Sequence, residues 1–384
     1  MKIGAYSPYL LKHFGGGEKH FLTSLWYLSQ KNKVEALISP ETSPELLSKA
    51  IEKYQRLFNL DLSGVRWVKV ALAASGGQRR PLSPLQNYLE TSKYDAFLYL
   101  TDGSLFFSGA KKNILHIQFP FTQSGGKLFN LKLKNWQIKN ANSKFTRQVV
   151  EKAWRTKIPY LHYPYVDLSP NQTEEELNTL FSNKKPIILS SGRFINHQTS
   201  SAHSKRQDIL IEAFKIGQNR YKWSNLRLIL VGSIEPGKSH QEYVKSLKKQ
   251  AAGLPVEFAH DISNSELVKL YQQSSVFWHA AGYQVDELAF PHRVEHFGMS
   301  VIEAMGQGSI PIVVKKGGLK EIITDQENGF LINSVDELVN QTNEVISLDL
   351  PKQNRLRQAA FNRASDFSLD KFCQTLEEML QAAI

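Results

Sequence analysis

The stretch Ser300-Val-Ile-Glu-Ala-Met-Gly-Gln-Gly308, followed by Ser309-Ile-Pro-Ile-Val-Val314, decides the fold class of this chain. Its first part carries apolar residues at helical spacing and closes on a glycine, which predicts a helix that ends there. The β-branched run that follows predicts a buried strand, and Gly317-Gly318 predict the turn after it. A helix that leads directly into a fully apolar strand is typical of a parallel sheet covered by helices on both faces.

The same alternation of strands and helices runs outward from this stretch. The predicted strands are 2–6, 34–38, 96–100, 113–117 and 138–141, and then, in a second series, 186–191, 226–231, 256–259 and 276–279. The predicted helices include 18–29, 206–214, 265–273 and 369–383. We therefore predict an α/β protein with two Rossmann-like, doubly wound domains. The first domain is placed at 1–167 and the second at 168–365, with a linker at 166–170, and the C-terminal helix at 366–384 can cross back to the first domain.

Composition agrees with this organisation. The 384 residues are 41% hydrophobic and 22% charged, which are globular values, and the length suggests two domains. The single cysteine, Cys373, excludes an internal disulfide and fits a reducing compartment. The first residues lack the apolar core of a signal peptide, and no apolar run approaches the length of a membrane span. We expect a cytoplasmic protein, with peripheral binding to the cytoplasmic face of a membrane as the alternative.

Charge is distributed unevenly between the two halves. Residues 1–165 hold 24 Lys and Arg against 10 Asp and Glu, whereas residues 166–384 hold 23 against 26. A basic half suits an anionic membrane surface, a polyanionic acceptor or nucleic acid, and it also suits a solvated surface that only keeps the protein soluble. Lys127–Lys139 interleaves lysine with Phe, Leu and Trp, which fits a membrane interface, although the alternation also fits a strand with one solvated face.

Two carboxylates lie eight residues apart around the start of the quoted helix. Glu295 is placed in the preceding loop and Glu303 inside the helix, with the backbone amides of Gly298 to Ser300 between them. Acceptors that flank a set of backbone donors suit a ligand with hydroxyls at both ends and a phosphate in the middle, as in a nucleotide-sugar. An ordinary solvated pair of glutamates is the alternative.

Metal chemistry offers a rival interpretation of the same segment. His292-Arg-Val-Glu295-His296 matches the His-x-x-Glu-His pattern of zinc peptidases. Zinc would require a regular helix and a third ligand, whereas Pro291 and Gly298 leave barely one turn. We therefore expect no metal at this position.

Four blocks occur in register along the chain. They are Ala141-Asn-Ser-Lys-Phe-Thr-Arg147, then Tyr163-Pro-Tyr-Val-Asp167, then Gly192-Arg193 with Lys205-x-x-Asp208-x-Leu-Ile-Glu-Ala-Phe214, and then Glu295-x7-Glu303. In these blocks the chain resembles the retaining glycosyltransferases of family 4, which have the GT-B fold, from about residue 3 to residue 340. The resemblance implies two Rossmann-like domains facing across a cleft, with the nucleotide-sugar on the C-terminal domain and most of the acceptor on the N-terminal one.

The resemblance also implies roles for the C-terminal residues. Glu303 would accept hydrogen bonds from the ribose, and Glu295 from hydroxyls of the transferred sugar. The donor would approach the amides of the segment Phe297, Gly298, Met299 and Ser300. Arg193 and Lys205 would bind the diphosphate as it departs, because fixed cations stabilise the charge that develops there.

One departure from the family pattern concerns the second cation. The loop Ile195–Ser204 is longer than the family usually has, and Arg206 could replace Lys205.

The N-terminal domain contributes further candidates. His116, at the end of a predicted strand, matches the family histidine that lines the reaction centre, and His279 of the second domain lies near the predicted cleft. Gly16 and Gly17 follow the first strand and open a helix whose free amides can meet an anion, so we expect them to contact the donor.

The expected reaction is the transfer of a hexose from a nucleotide-sugar to a glycan or a lipid-linked acceptor. The family's favoured proposal is front-face displacement with retention, and the Arg/Lys pair would take the place of a metal, so no cofactor is expected. GDP-mannose is the preferred donor, with UDP-glucose or a UDP-N-acetylhexosamine as alternatives. A catalytically silent scaffold that binds sugar nucleotides is a further alternative. Nucleic acid is not expected, since no basic–aromatic RNA motif appears.

Overall fold

A computed structural model describes residues 1–12, 14–70, 72, 83–167, 173–199 and 203–382. Its contacts divide the chain into two compact units, Met1–Tyr165 with Leu369–Ile384, and Val166–Ser368. The predicted domain limits lay at 167 and 365, and the predicted linker falls partly on residues 168–170, outside the described residues.

The first unit is built on a seven-stranded parallel sheet. Its strands are β1 (Lys2–Tyr6), β2 (Lys33–Ile38), β3 (Val65–Lys69), β4 (Ala96–Leu100), β5 (Lys112–Ile117), β6 (Ile138–Ala141) and β7 (Tyr160–Leu161). The strand order is β3-β2-β1-β4-β5-β6-β7. Its helices in this part of the chain are α1 (Gly16–Ser29), α2 (Pro44–Phe58), α3 (Ser83–Thr91), α4 (Lys127–Asn135) and α5 (Lys144–Trp154).

The second unit repeats this architecture with six parallel strands. Its helices are α6 (Glu174–Ser182), α7 (Gln207–Tyr221), α8 (Lys238–Gln250), α9 (Asn264–Gln273), α10 (Met299–Gly306), α11 (Leu319–Ile322), α12 (Val335–Ser347) and α13 (Leu350–Ala364). Its strands are β8 (Lys185–Ser191), β9 (Arg227–Val231), β10 (Val256–Ala259), β11 (Ser274–His279), β12 (Ile310–Val314) and β13 (Phe330–Ile332), in the order β10-β9-β8-β11-β12-β13. The expected α/β class with two Rossmann-like sheets is confirmed.

The chain ends in α14 (Leu369–Gln381), which belongs to the first unit. Its residues Leu376, Met379 and Leu380 are buried in the same apolar core as strand β1 and helix α1. The backbone carbonyl of Phe372 also accepts a hydrogen bond from Nε2 of His162, which follows β7, at 3.1 Å. Of the segment expected at 366–384, the part from Leu369 onward thus packs in the first unit, whereas residues 366–368 belong to the second unit, and residues 383 and 384 are not among those described.

Apolar burial explains why the central strands form where the sequence predicts them. Strands β4 and β12 are buried along their whole length, so continuous apolar runs give the parallel sheets that helices cover. In each sheet the strand order reverses beside the first strand, between β1 and β4 and between β8 and β11. Ligands of doubly wound sheets bind at the carboxyl ends of the strands beside such a point.

One of the two alternatives for Lys127–Lys139 is wrong. The segment is not a strand with one solvated face but forms α4 and then the start of β6, whereas its role as a membrane interface stays a prediction. The buried side of α4 is defined by Phe129 and Leu133, which are four residues apart as helical periodicity requires. Among the described residues no helix combines the length and the apolar character that crossing a membrane requires.

Candidate functional site

A buried charged cluster lies at the carboxyl edge of the second sheet. His279 is the last residue of β11, and Glu295 lies in the segment between β11 and α10. The Nζ atom of Lys205 contacts Glu295 Oε2, and His279 Nε2 lies 2.8 Å from the same oxygen. His203 Nε2 lies 3.8 Å from Glu295 Oε1. Lys205 and Glu295 were expected to be donor contacts, and the fold brings them together beside the switch point.

Electrostatics keeps this carboxylate ionised. Burial alone would raise the pKa of Glu295, but Lys205, assisted by His203 and His279, outweighs burial and holds the pKa well below its ordinary range. Burial, followed by the nearby Lys205, lowers the pKa of His279, so this imidazole is neutral near pH 7. The backbone N–H of Ala281 donates to His279 Nδ1 at 3.4 Å. The proton of the neutral ring is therefore on Nε2, where it is donated to Glu295.

Two glycines shape the surroundings of the lysine. Gly192 follows β8 with a φ of +156°, and a Cβ atom there would lie 2.5 Å from Cγ of Lys205. A Cβ atom at Gly232, after β9, would collide with the carbonyl of Gly192. The absence of side chains at both positions lets the lysine stem cross the strand ends and reach the buried carboxylate.

Helix α10 begins immediately after the Glu295 segment. Its N-cap, Gly298, has a φ of +118°, and no side chain caps this end of the helix. The N–H groups of Val301 and Ile302 both donate to the carbonyl of Gly298, at 3.0 and 3.3 Å. The earlier amides of a helix have no partner within it, so those of Met299 and Ser300 are available to an anion. The Ser300 hydroxyl is enclosed and has no hydrogen-bond partner among the described residues.

The loop after β12 holds the Glu295 segment in place. The N–H of Gly318 donates to the Glu295 carbonyl at 2.8 Å, and a Cβ atom at Gly317, whose φ is +56°, would strike that carbonyl. Phe297 is buried and packs edge-on against Phe367 at 5.3 Å between ring centroids. The expected segment Phe297 to Ser300 therefore has a fixed path.

Glu303 lies one turn into α10. The hydroxyl of Tyr271 donates to its Oε2 at 3.1 Å. Burial, followed by the charge of Glu303, raises the pKa of Tyr271 well above its ordinary value, so the tyrosine stays protonated and remains a donor. The carboxylate is thus oriented by one phenol and keeps further acceptor capacity.

Two arginines near the strand ends are arranged differently. Arg193 forms an ion pair with Glu235 at 2.8 Å and is half exposed, so its guanidinium can turn toward a ligand. Arg206, the alternative to Lys205, binds both oxygens of Asp208 and donates to the carbonyl of Tyr283. Lys205 rather than Arg206 reaches Glu295.

The candidates of the first unit also come together. Gly16 and Gly17 begin α1, and a Cβ atom at Gly17 would collide with the side chain of Gln118, just after β5. The carboxylate of Glu18 accepts from the N–H of Gly15 at 2.9 Å, so this amide already has a partner. His116 is buried at the end of β5.

His116 lies in a cluster of three buried histidines that the sequence did not predict. Its ring stacks on that of His20 with centroids 4.0 Å apart, and His20 Nε2 lies 3.1 Å from His162 Nδ1. Burial lowers the pKa of His116 to about 4 and that of His162 to about 3, and it also lowers the pKa of His20. These rings are neutral near pH 7.

Hydrogen bonds assign the protons of the cluster. Asn140 donates its amide to the carbonyl of Leu115 at 3.2 Å, so its oxygen accepts from His116 Nδ1, and His116 Nε2 carries a lone pair. His162 Nε2 donates to the backbone, so its Nδ1 accepts from His20 Nε2, and His20 Nδ1 is also a bare acceptor. Neither bare nitrogen has a hydrogen-bond partner among the described residues.

The three ring nitrogens lie within 4.8 Å of one another, which is compatible with a metal by distance alone. The rings of His20 and His116 are tilted by only 17°, and ligand lone pairs lie in the ring plane. One ion could not lie in both nearly parallel planes, so the stacked pair fits a metal poorly. The zinc pattern at His292 and His296 forms no three-ligand group among the described residues, and His296 Nε2 faces the His292 carbonyl at 3.4 Å.

The fold and the charged switch point are typical of proteins that bind nucleotides or nucleotide-sugars. The family described as "Glycosyl transferases group 1" matches residues 171–363, half of the chain, and the chain belongs to this family.

Three similar proteins illustrate the relationship. The "GDP-Man:Man(3)GlcNAc(2)-PP-Dol alpha-1,2-mannosyltransferase" of Dictyostelium discoideum is 26% identical over 57% of this chain and 43% of its own length. The chain therefore matches less than half of that relative. Anabaena HepE, solved in complex with UDP, is 21% identical over the whole of both chains with a TM-score of 0.70. A glycosyltransferase of Rickettsia africae is 17% identical over all of this chain and 99% of its own, also with a TM-score of 0.70. The expected GT-B fold class is confirmed by these structures.

Proposed function

We propose that this chain is a hexosyltransferase whose second unit binds the donor nucleotide-sugar. The observation that carries the proposal is the buried Lys205–Glu295 pair beside the uncapped start of α10. A diphosphate needs amide donors and a cation, and a sugar needs carboxylate acceptors. The contact between Lys205 and Glu295 brings the two sets together beside the start of α10. The enclosed Ser300 hydroxyl, which lacks a partner in the described structure, supports a ligand at this helix start.

GDP-mannose is the donor that we propose. The relative from Dictyostelium is named as a GDP-mannose-dependent mannosyltransferase, which supports mannose over the alternatives UDP-glucose and UDP-N-acetylhexosamine. The acceptor that we propose is a glycan or a lipid-linked sugar, and we propose that His116 of the first unit acts at the reaction centre. Arg193 and Lys205 would stabilise the departing diphosphate electrostatically, in a retaining front-face transfer that needs no metal.

A panel of nucleotide-sugars tests the donor site. A donor present at 100 times its dissociation constant should stabilise the folded protein by about 2.7 kcal/mol. We expect GDP-mannose to raise the melting temperature, Glu303→Gln to reduce the effect, and Glu212→Gln, which alters an exposed carboxylate of α7, to leave it unchanged. Stabilisation by a UDP-sugar instead would correct the donor. Stabilisation without transfer to any acceptor would indicate a silent scaffold, and no response to any nucleotide-sugar would refute the proposal.

We further propose that the first unit docks on the cytoplasmic leaflet of a membrane. Helix α3 exposes Leu85, Tyr88 and Leu89, and helix α4 exposes Leu128 and Leu131, each set on one helical face. These five large apolar side chains are between 47% and 59% exposed. Exposed apolar residues grouped on two helices suit insertion into a lipid interface better than they suit water.

The loop before β5 fixes these two helices side by side. The N–H of Ser108 donates to Asn135 at the end of α4 at 2.7 Å, and the N–H of Gly109 donates to Thr91 at the end of α3 at 2.8 Å. Adjacent loop residues thus hold the ends of both helices, and we propose that their two apolar faces act together as one docking surface, which we call the α3–α4 surface.

Basic residues accompany the α3–α4 surface. A cavity of about 560 Å³ beside α4 is lined by Lys134, Lys139 and Arg155, and no carboxylate is among its described lining residues. Each lysine or arginine near an anionic leaflet contributes about 1 kcal/mol, so anionic headgroups would add to the apolar contribution. Buried, free Cys373 agrees with the reducing side of a membrane.

Sedimentation with vesicles tests this docking. We expect binding to vesicles that contain phosphatidylserine, loss of binding at high salt, and loss in a Leu128→Glu/Leu131→Glu variant. Leu46→Glu changes an equally exposed leucine of α2 and should bind as the wild type does. Equal, negligible sedimentation with anionic and zwitterionic vesicles would show that the basic half serves a soluble partner.

A further inference from the structure

A second cavity lies at the opposite edge of the second sheet from Glu295, under the N-terminal ends of its strands. Its volume is about 450 Å³, and it is lined by the segments 184–186 and 221–226, by Ser275 at the start of β11, and by residues at the end of α12 and in α13. The donor-site proposal uses none of these residues.

One residue that lines this cavity, Arg357, forms no ion pair within the part of the chain that the structure describes. Arg357 is only 1% exposed, and its guanidinium donates to two neutral amides of its own helix, Gln353 Oε1 at 2.9 Å and Asn354 Oδ1 at 3.3 Å. Its Nε–H is buried and has no partner among the described residues. Burial lowers the pKa of Arg357 to about 10, yet the group remains charged at neutral pH.

A second basic side chain, that of the half-buried Lys184, lines the same cavity. The ammonium of Lys184 donates to the carbonyls of Tyr271 and Gln307, which lie near the C-terminal ends of α9 and α10. Burial, and then the charge of Arg357, lowers the pKa of Lys184 well below its ordinary value. Helix-end carbonyls thus compensate the lysine, whereas the hydrogen bonds of Arg357 go to neutral amides alone.

The rest of the lining adds positive charge. Lys185 and Lys222 are exposed at the rim, and the described residues that line the cavity include no carboxylate. A buried charge is costly unless a partner of opposite charge accompanies it, so the buried guanidinium of Arg357, with three lysines around the same cavity, requires an explanation. The C-terminal ends of α7 and α12 at its wall carry only about half a negative charge each, too little to balance them.

We propose that this cavity binds the phosphate group of a small molecule. The guanidinium fork of Arg357 matches phosphate geometry, and the lysines balance the second charge of a dianion. The stacked rings of Tyr221 and Trp223 line the same cavity and can receive an uncharged part such as a sugar ring. This site is separate from the proposed donor site and does not depend on it.

Isothermal titration of the whole chain with inorganic phosphate tests the proposal. We expect saturable binding in the wild type and about a 10–100-fold loss of affinity in Arg357→Gln, as for a lost charged hydrogen bond. Arg355→Gln, an exposed neighbour on the same helix, and Arg193→Gln at the donor site should bind as the wild type does. The absence of saturable binding, or a loss caused only by Arg193→Gln, would overturn the proposal.

If Arg357→Gln does not fold, two variants of exposed lysines still test the site. Lys222→Gln and Lys185→Gln change exposed residues, so they should preserve the fold and still weaken phosphate binding several-fold. Unchanged affinity in both would refute a site at this cavity. A second experiment titrates hexose 1-phosphate and the uncharged hexose. The hexose alone should not bind. Binding of hexose 1-phosphate that is tighter than that of inorganic phosphate would indicate that the sugar ring packs on Tyr221 and Trp223.

Discussion

Replacing Lys205 by methionine should expose the energetic role of the buried ion pair. The side chains of Lys205 and Glu295 are only 16% and 10% exposed, so water cannot screen the carboxylate that remains. Removing one partner of such a pair costs about 3–5 kcal/mol, because the other charge stays buried without compensation. A comparable surface pair would cost at most about 1 kcal/mol.

The cost should depend on pH in a defined direction. In the wild type the folded-state pKa of Glu295 is depressed, so its contribution is present above the unfolded pKa and is lost as the pH falls through the folded value. Without Lys205, burial acts against weaker opposition and raises the pKa of Glu295. Protonation of the carboxyl group then becomes easier as the pH falls, so the variant should be more destabilised at pH 8 than at pH 5.

Urea unfolding at both pH values measures this effect. Two units need not unfold together, so hydrogen exchange should be followed in peptides from residues 274–314. These peptides report whether the destabilisation lies in the second unit. Lys315→Met, at an exposed lysine after β12, is the matched control, and Lys205→Met/Glu295→Gln should recover most of the loss because no charge is left buried. Equal destabilisation at the two pH values, or no recovery in the double variant, would refute the role assigned to the pair.

Three further predictions concern activity. His279→Ala should lower kcat more than nucleotide affinity, because it removes the hydrogen bond that orients the Glu295 carboxylate. His279→Gln, which keeps an N–H near the Nε2 position, should restore part of the rate. Equal defects in both variants would assign His279 to packing alone. Glu303→Ala should weaken donor binding by about 1.5–3 kcal/mol, and Tyr271→Phe by less, as titration of the donor would show; unchanged donor affinity would contradict this assignment. Transfer should continue in a strong chelator, since charge stabilisation is assigned to Arg193 and Lys205, and activity that returns only on adding a metal would contradict it.

The sequence predicts the central strands of this fold well because their signal is local. Strands β1, β4 and β6 match their predicted limits, and β4, which is apolar and buried throughout, carries the clearest signal. Edge strands carry less of this signal. Strand β3 is mostly half-exposed or exposed and mixes two charged residues with three apolar ones, and β7 has only two residues, so neither was predicted.

The wrong prediction at α4 has a definite cause. Lysines alternate with leucines in this segment, so a period of two and a helical period fit the same letters. Tertiary packing decides between them: Phe129 and Leu133 contact the core beside Trp154, and Leu128 and Leu131 are left outside. The sequence alone does not indicate which of these leucines pack against the core.

The contacts of the candidate site could not be predicted from the sequence either, because they join residues that are far apart in the chain. The resemblance indicates Glu295 and Lys205, but they are 90 residues apart in sequence, and their contact follows only from the folded sheet. Tyr271 as a partner of Glu303, and the stacking of His20 on His116, join separate elements with no motif to announce them. Arg357 gave no signal either, because an arginine in an amphipathic helix is ordinarily exposed.

The donor-site geometry suggests why Glu295 needs two partners rather than one. Under the proposed function, a diphosphate would draw the Lys205 ammonium toward itself, and the lysine could no longer neutralise the carboxylate fully. His279 would remain, because its ring is buried, neutral and fixed through Ala281, and its Nε2–H would still hold Oε2. The other oxygen, Oε1, which lies 3.8 Å from His203 Nε2, would be the acceptor left for the sugar. A neutral donor suits this position better than a second cation, because a second cation would bind the carboxylate and the phosphate in competition.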